Sequence, residues 1–227
     1  MATPTETRRA IRRAEPAEMS SRLFIVRHGN TFDKGDVVTR VGGRTDLPLS
    51  SSGRAQADAL ARHFAGDGIA FTSARTSPLS RTRATAEAIL AAQAAPPELE
   101  TALFLREIDY GPDENRPEPE VIARIGEDAL RAWEEAGAPP PGWRVDPEAI
   151  VGNWRTLMVK LATQPGDHLV VTSNGVARFA LWCVERGRAG AKLSTGGYGV
   201  IRLAARPDSD PDEATIETWN IRPGKRD

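Results

Sequence analysis

Leu23-Phe24-Ile25-Val26-Arg27-His28-Gly29 decides how this chain is read. A four-residue apolar run stops abruptly on an arginine, a histidine and a glycine, as a buried strand does where it hands over to a tight polar loop. Outward from it, a Gly-rich polar loop runs to Leu49. Ser50 or Ser51 then caps a predicted helix through about His63, carrying Ala55, Ala59, Leu60 and Phe64. Ile69-Ala70-Phe71-Thr72 reads as a second strand, and Ser77-Pro78-Leu79 opens a helix to about Ala92. Residues 99–109 read as extended around Leu103-Phe104-Leu105.

The stretch 111–149 differs. It is rich in Pro and Glu, with a helical piece predicted at about 118–136, and reads as an insertion covering one end of the sheet. A helix near 147–163, the strand His168-Leu169-Val170-Val171-Thr172, a helix from Asn174 to about Arg186, and strands near 199–204 and 214–220 follow. Strands alternating with helices imply an α/β fold with a largely parallel sheet. In such sheets ligands bind beyond the carboxyl ends of the strands. Arg27-His28-Gly29, Ser77 to Arg81, Asn174-Gly175 and Glu107 all fall at such ends.

Composition narrows the alternatives. The chain has 227 residues, 40% of them hydrophobic, enough for one domain with a sizeable core. Residues 21–221 read as that domain, between a disordered tail at 1–20 and a short tail at 222–227. Thirty basic against 31 acidic side chains give a net charge of −1, so no bulk field favours nucleic acid. No apolar run reaches membrane-span length, and the arginines near the N-terminus lack the apolar segment a secretory signal requires. Cys183 is the single cysteine, which favours a reducing compartment and a cytoplasmic location. The three histidines, His28, His63 and His168, lie in different kinds of segment, so no metal site is expected.

The strand-end residues suggest a chemistry. Neutral imidazole is a competent nucleophile near neutral pH. Arg27 and Arg81 could clamp phosphoryl oxygens bidentately, and Glu107 could give a proton to a leaving alcohol. Together they describe phosphoryl transfer through a phosphohistidine.

At this point the sequence resembles the histidine phosphatases, the phosphoglycerate-mutase-like superfamily. The residues that carry it are Leu23 to Thr31, the block Gly43-Arg44-Thr45-Asp46-Leu47-Pro48-Leu49-Ser50, Ser77-Pro78-Leu79-Ser80-Arg81 with Thr85-Ala86, and Leu105-Arg106-Glu107-Ile108-Asp109-Tyr110-Gly111. The resemblance implies a doubly wound, mostly parallel sheet of about six strands flanked by helices. It implies His28 as phosphate acceptor, Glu107 as general acid, Arg27 and Arg81 as phosphate clamp, and Thr31, Gly43, Arg44 and Gly175 near substrate. No metal or organic cofactor is implied. The expected ligand is a small phosphorylated metabolite or inorganic phosphate; the oligomeric state stays open, a homodimer included.

One position departs. The resemblance implies a second histidine followed by glycine after the strand at 168–172, and Asn174-Gly175 stands there. A charge-assisted hydrogen bond contributes roughly 1.5–3 kcal/mol against about 0.5–1.5 for a neutral one. The substitution therefore implies roughly a tenfold to few-hundredfold loss in rate. The Gly43 to Ser50 block leans to the phosphatase branch, so a phosphomonoesterase is the first reading. A catalytically impaired binder of a phosphorylated ligand, a protein phosphohistidine phosphatase and a phosphoglycerate mutase remain as alternatives. Trp133, Trp143 and Trp154 read as packing residues.

Overall fold

The computed structural model describes residues 21–184, 191–203 and 214–224. The expected tail at 1–20 and residues 225–227 of the expected tail at 222–227 lie outside these residues, as do the expected helix end near Arg186 and strand end at 204.

Strand β1 (Ser21–Arg27) lies inside a six-stranded sheet with β2 (Phe71–Thr76), β3 (Leu99–Thr101), β4 (Gly166–Thr172), β5 (Tyr198–Leu203) and β6 (Thr215–Ile221). The order is β3-β2-β4-β1-β5-β6. β1, β2, β3 and β4 pair in parallel. β5 pairs antiparallel with both β1 and β6, so it is the one reversed strand and β6 again runs with β1.

The period-two alternation of β1 explains why helices cover both faces. Leu23 and Ile25 enter one core with Trp154, Leu157, Leu161 and Phe179. Phe24 and Val26 enter the other with Leu60, Phe64, Phe71 and Ile89. Helices α1 (Ser51–Gly66) and α2 (Ser80–Ala91) supply the second core, and α4 (Pro147–Ala162) the first.

Several predicted elements differ in the structure. The apolar stripe of α1 runs through Ala57, Leu60, Ala61 and Phe64, and Ala55 is exposed. β2 begins two residues later than Ile69 and continues through polar Ser73 and Arg75. The neighbouring strands accept those polar groups: Ser73 Oγ meets buried His168 Nδ1 at 2.9 Å and Arg75 pairs with exposed Glu100 at 3.1 Å. Residues 99–109 are a three-residue strand and then a 3-10 turn at Leu103–Leu105, which turns Glu107 inward. The helix from Asn174 is one turn, α5 (Asn174–Ala177), and tightens to 3-10 over Arg178–Cys183.

Helix α3 (Glu118–Ala136) forms where expected, kinked at Gly126 and closed by left-handed Gly137. Trp133, Trp143 and Trp154 are all buried, as packing residues should be. Ser50 caps α1 by accepting from Gly53 N at 3.1 Å, and the Asp33 carboxylate accepts from Ser51 N and Ser52 N at 3.1 and 2.9 Å. Replacing Ser50 by alanine should cost about 1 kcal/mol, read as a lower urea midpoint.

His168 is buried and faces away from the strand ends. Its Nε2–H donates to Gln164 O at 2.7 Å and its Nδ1 accepts from Ser73 Oγ. Burial lowers its pKa below the ordinary 6.5, with the nearby Arg75 charge adding to the effect. The unfolded chain thus takes up the proton first, and stability is lost as pH falls below about 6.5. The urea midpoint should fall on acidification through that window, and fall less steeply in His168→Gln. A midpoint that rises on acidification would contradict the assignment.

Candidate active site

The carboxyl ends of β1, β2 and β4 meet a common rim. His28 follows β1 directly, and its N–H continues the ladder to Thr172 O at 3.1 Å. The chain then has to pass very close to the start of α1. A Cβ at Gly29 would collide with the Gly53 backbone, and one at Gly53 with the backbone of Asn30. These two glycines let the loop after β1 press against the helix N-terminus. Gly29 N is further held by Thr85 Oγ1 at 3.2 Å.

The His28 ring is buried, 6% exposed, which decides its charge state. Nδ1 lies 2.7 Å from Gly29 O, a carbonyl that can only accept, so Nδ1 carries the proton. Nε2 accepts from Arg81 Nε at 3.2 Å and presents its lone pair toward that guanidinium. Burial, then the charges of Arg81 and Arg27, hold the His28 pKa well below 6.5. A neutral imidazole so oriented is a nucleophile at neutral pH.

Arg81 opens α2 and is fully buried. Nη1 donates to Thr45 O at 2.8 Å and Nη2 to Gly42 O at 3.1 Å. Of its five N–H groups three are engaged, which leaves one on each terminal nitrogen. Arg27 Nη1 donates to Leu193 O at 2.8 Å, and its buried Nε has no hydrogen-bond partner.

Glu107 is buried and supplies the carboxyl group nearby. Its Oε1 accepts from Ile108 N at 3.0 Å and its Oε2 from Gly175 N at 3.2 Å. A side chain at position 175 would strike the Glu107 carboxylate, so only glycine admits this contact. Burial raises the Glu107 pKa, opposed by these two amides and by Arg81 and Arg27. A carboxyl raised in this way can hold a proton for donation.

Asn174 opens α5. Its Oδ1 accepts from Leu193 N at 2.7 Å, which fixes the side-chain NH2 as a donor. Leu193 is thus clasped through both backbone groups, its N–H by Asn174 and its C=O by Arg27. The sequence carries no signal for this contact.

The remaining expected residues divide. Gly43 N donates to Ile108 O at 2.8 Å, which ties the loop after β1 to the Glu107 segment. Arg44 is committed elsewhere: Nε donates to Asp109 Oδ1 at 2.9 Å, Nη2 to Gly111 O at 2.6 Å, and its side chain is half exposed. Thr31 is partly buried and has no hydrogen bond among the described residues. Thr172 and Tyr110 were not singled out from sequence. Thr172 Oγ1 donates to Leu105 O at 2.6 Å and anchors the run into Glu107, while buried Tyr110 packs edge-to-face against Trp143. A threonine at a strand end is the one readable hint of the former. Among the described residues no group of three or more His, Cys, Asp or Glu is placed to hold a metal, and no helix is long and apolar enough to cross a membrane.

Among solved structures, a mycobacterial glucosyl-3-phosphoglycerate phosphatase superposes with a TM-score of 0.72 at 19% identity, covering 89% of this chain and 99% of that one. The alpha-ribazole phosphatase of Shigella flexneri gives 0.65 at 20% identity, covering 88% and 96%. Both share the fold. Among curated proteins, the 2,3-bisphosphoglycerate-dependent phosphoglycerate mutase of Brucella ovis is 33% identical over 127 residues, 55% of this chain. The chain spans about 60% of the length of that relative. The family model for the histidine phosphatase superfamily (branch 1) matches residues 23–220, from the first strand through nearly all of β6. With that match over most of its length, the chain belongs to the histidine phosphatase superfamily.

Proposed function

We propose that this chain is a phosphomonoesterase that hydrolyses a small phosphorylated metabolite through phospho-His28. The observation that carries this reading is the His28 lone pair held toward Arg81, with Arg27 and Glu107 on the same rim. In the first step Nε2 attacks phosphorus and the bond to the leaving oxygen breaks. The leaving oxygen takes the proton from Glu107. In the second step the Glu107 carboxylate accepts a proton from water, which attacks phosphorus. The P–N bond breaks, and phosphate leaves with neutral His28 restored.

The free N–H groups of Arg81 and the unpartnered Nε of Arg27 are the donors for the phosphoryl oxygens. Asn174 adds a neutral donor through its NH2 group. The likeness to a glucosyl-3-phosphoglycerate phosphatase and an alpha-ribazole phosphatase supports the phosphatase branch. The single buried cysteine, Cys183, fits a reducing, cytoplasmic setting.

Asn174 favours a second reading, a binder of phosphorylated ligands with little turnover. Phosphoglycerate mutase activity is a third, on the match to the Brucella enzyme.

Steady-state hydrolysis of a generic aryl phosphate separates them. The parent should turn over, His28→Ala should fall to background, and Glu107→Gln should lose about 10²–10⁴-fold. Asn174→His should gain roughly tenfold to a few hundredfold. A silent parent with an active Asn174→His would establish the binder reading. Transfer of the phosphoryl group between phosphoglycerate positions faster than its release to water would establish the mutase.

The pH profile is a further check. Neutral His28 and protonated Glu107 are the reactive forms. Activity should therefore hold as pH falls through 6.5, where an ordinary histidine would take a proton, and decline on the alkaline side as Glu107 ionises. An acid limb centred at 6.5 in kcat/KM would contradict the buried neutral imidazole.

A further inference from the structure

A cavity of about 250 Å³ lies apart from the His28 rim, between α1 and the run that follows β6. Ala55, Gln56, Thr195, Gly196, Arg222 and Pro223 line it, and His28, Arg27, Arg81 and Glu107 do not. Arg222 follows Ile221 at the end of β6. Ile221 pairs with Tyr198, and Tyr198 with Val26, so Arg222 reaches the same end of the sheet as Arg27, two strands away.

Among the described residues Arg222 has no counter-charge. Its Nε is buried without a hydrogen-bond partner, and among the described residues no carboxylate pairs with it. A guanidinium stays charged in proteins, and a buried donor left without a partner is costly. Burial chiefly lowers the Arg27 pKa, and the positive charge of Arg222 adds to that effect. Two neighbouring cations with one of them unpaired call for an anion between the charges and solvent.

The lining supplies a second donor. Gln56 Oε1 accepts from Asn30 N at 2.8 Å, which leaves the Gln56 NH2 group to donate. The Thr195 hydroxyl is spent on Asn30 Oδ1. Gly196 N donates to the carbonyls of Arg27 and His28 at 3.2 and 3.1 Å. The residues that line the cavity are thus the ones that hold the backbone of the nucleophile loop.

We propose that this cavity is a second oxyanion site, which takes a phosphate or carboxylate group on the Arg222 guanidinium and the Gln56 amide. The site does not rest on the phosphatase reading, because none of its residues belongs to the His28 site; only the choice between a free anion and a substrate group rests on it. The anion is either free or a remote group of a bound substrate.

Inorganic phosphate is the probe, with calorimetry on the full chain. Arg222→Ala should bind one phosphate fewer than the parent with an unchanged melting temperature in phosphate-free buffer. Arg222→Lys should keep that phosphate about tenfold more weakly, since a point charge replaces the planar fork. A parent that binds no more phosphate than Arg222→Ala overturns the site, whatever happens at His28.

Hydrolysis of phenyl phosphate and a carboxyphenyl phosphate separates the two sources. A KM raised about tenfold or more only for the carboxylated substrate in Arg222→Ala identifies a remote substrate group, and KM unchanged for both identifies a free anion. An equal rise for both substrates overturns the proposal, because Arg222 would then act through the fold.

Discussion

The arrangement depends on one contact, a neutral imidazole accepting a hydrogen bond from a buried guanidinium. Arg81 Nε and His28 Nε2 lie 3.2 Å apart, both buried. A proton on Nε2 would place two like charges together out of water, which is why the ring stays neutral. The contact in turn demands that Arg81 be held still. Thr45 O and Gly42 O do this from the loop after β1, so that loop must fold back over α2 before the site exists.

The charge balance around that contact explains the rest of the rim. Arg27 and Arg81 bring two positive charges into a dry place, and Glu107 offsets one only when it is ionised. The unpaired remainder, with an unsatisfied Nε on Arg27, makes the rim an anion receptor before any ligand arrives. Glu107 cannot collapse onto either arginine, because the amides of Ile108 and Gly175 hold its two oxygens. The strict need for glycine at 175 follows from the same geometry.

The sequence made the fold legible where apolar runs are unbroken. β1 and β4 read directly, as did α4, because buried parallel strands and their crossover helices leave little room for polar residues. β2 was misplaced because Ser73 and Arg75 break the run, and only the distant partners His168 and Glu100 show why they are tolerated. The helix from Asn174 was overextended because an apolar run says nothing about tightening to 3-10. At the site, His28, Arg27, Arg81 and Glu107 were readable from their places at strand ends. The attachment of Arg44 to Asp109 and Gly111 was not readable, since it depends on a loop 65 residues later. The Leu193 clasp is likewise tertiary, with Asn174, 19 residues away, on its N–H and Arg27, 166 residues away, on its C=O.

The central claim is that His28 takes the phosphoryl group. Quenching the parent and Asn174→His with denaturant during turnover of a 32P-labelled phosphomonoester, then mapping the label by peptide, tests it directly. The account predicts an acid-labile, base-stable label on the peptide bearing His28, absent in His28→Ala. Turnover with no label on His28 in either protein, or an unlabelled but fully active His28→Ala, would contradict it.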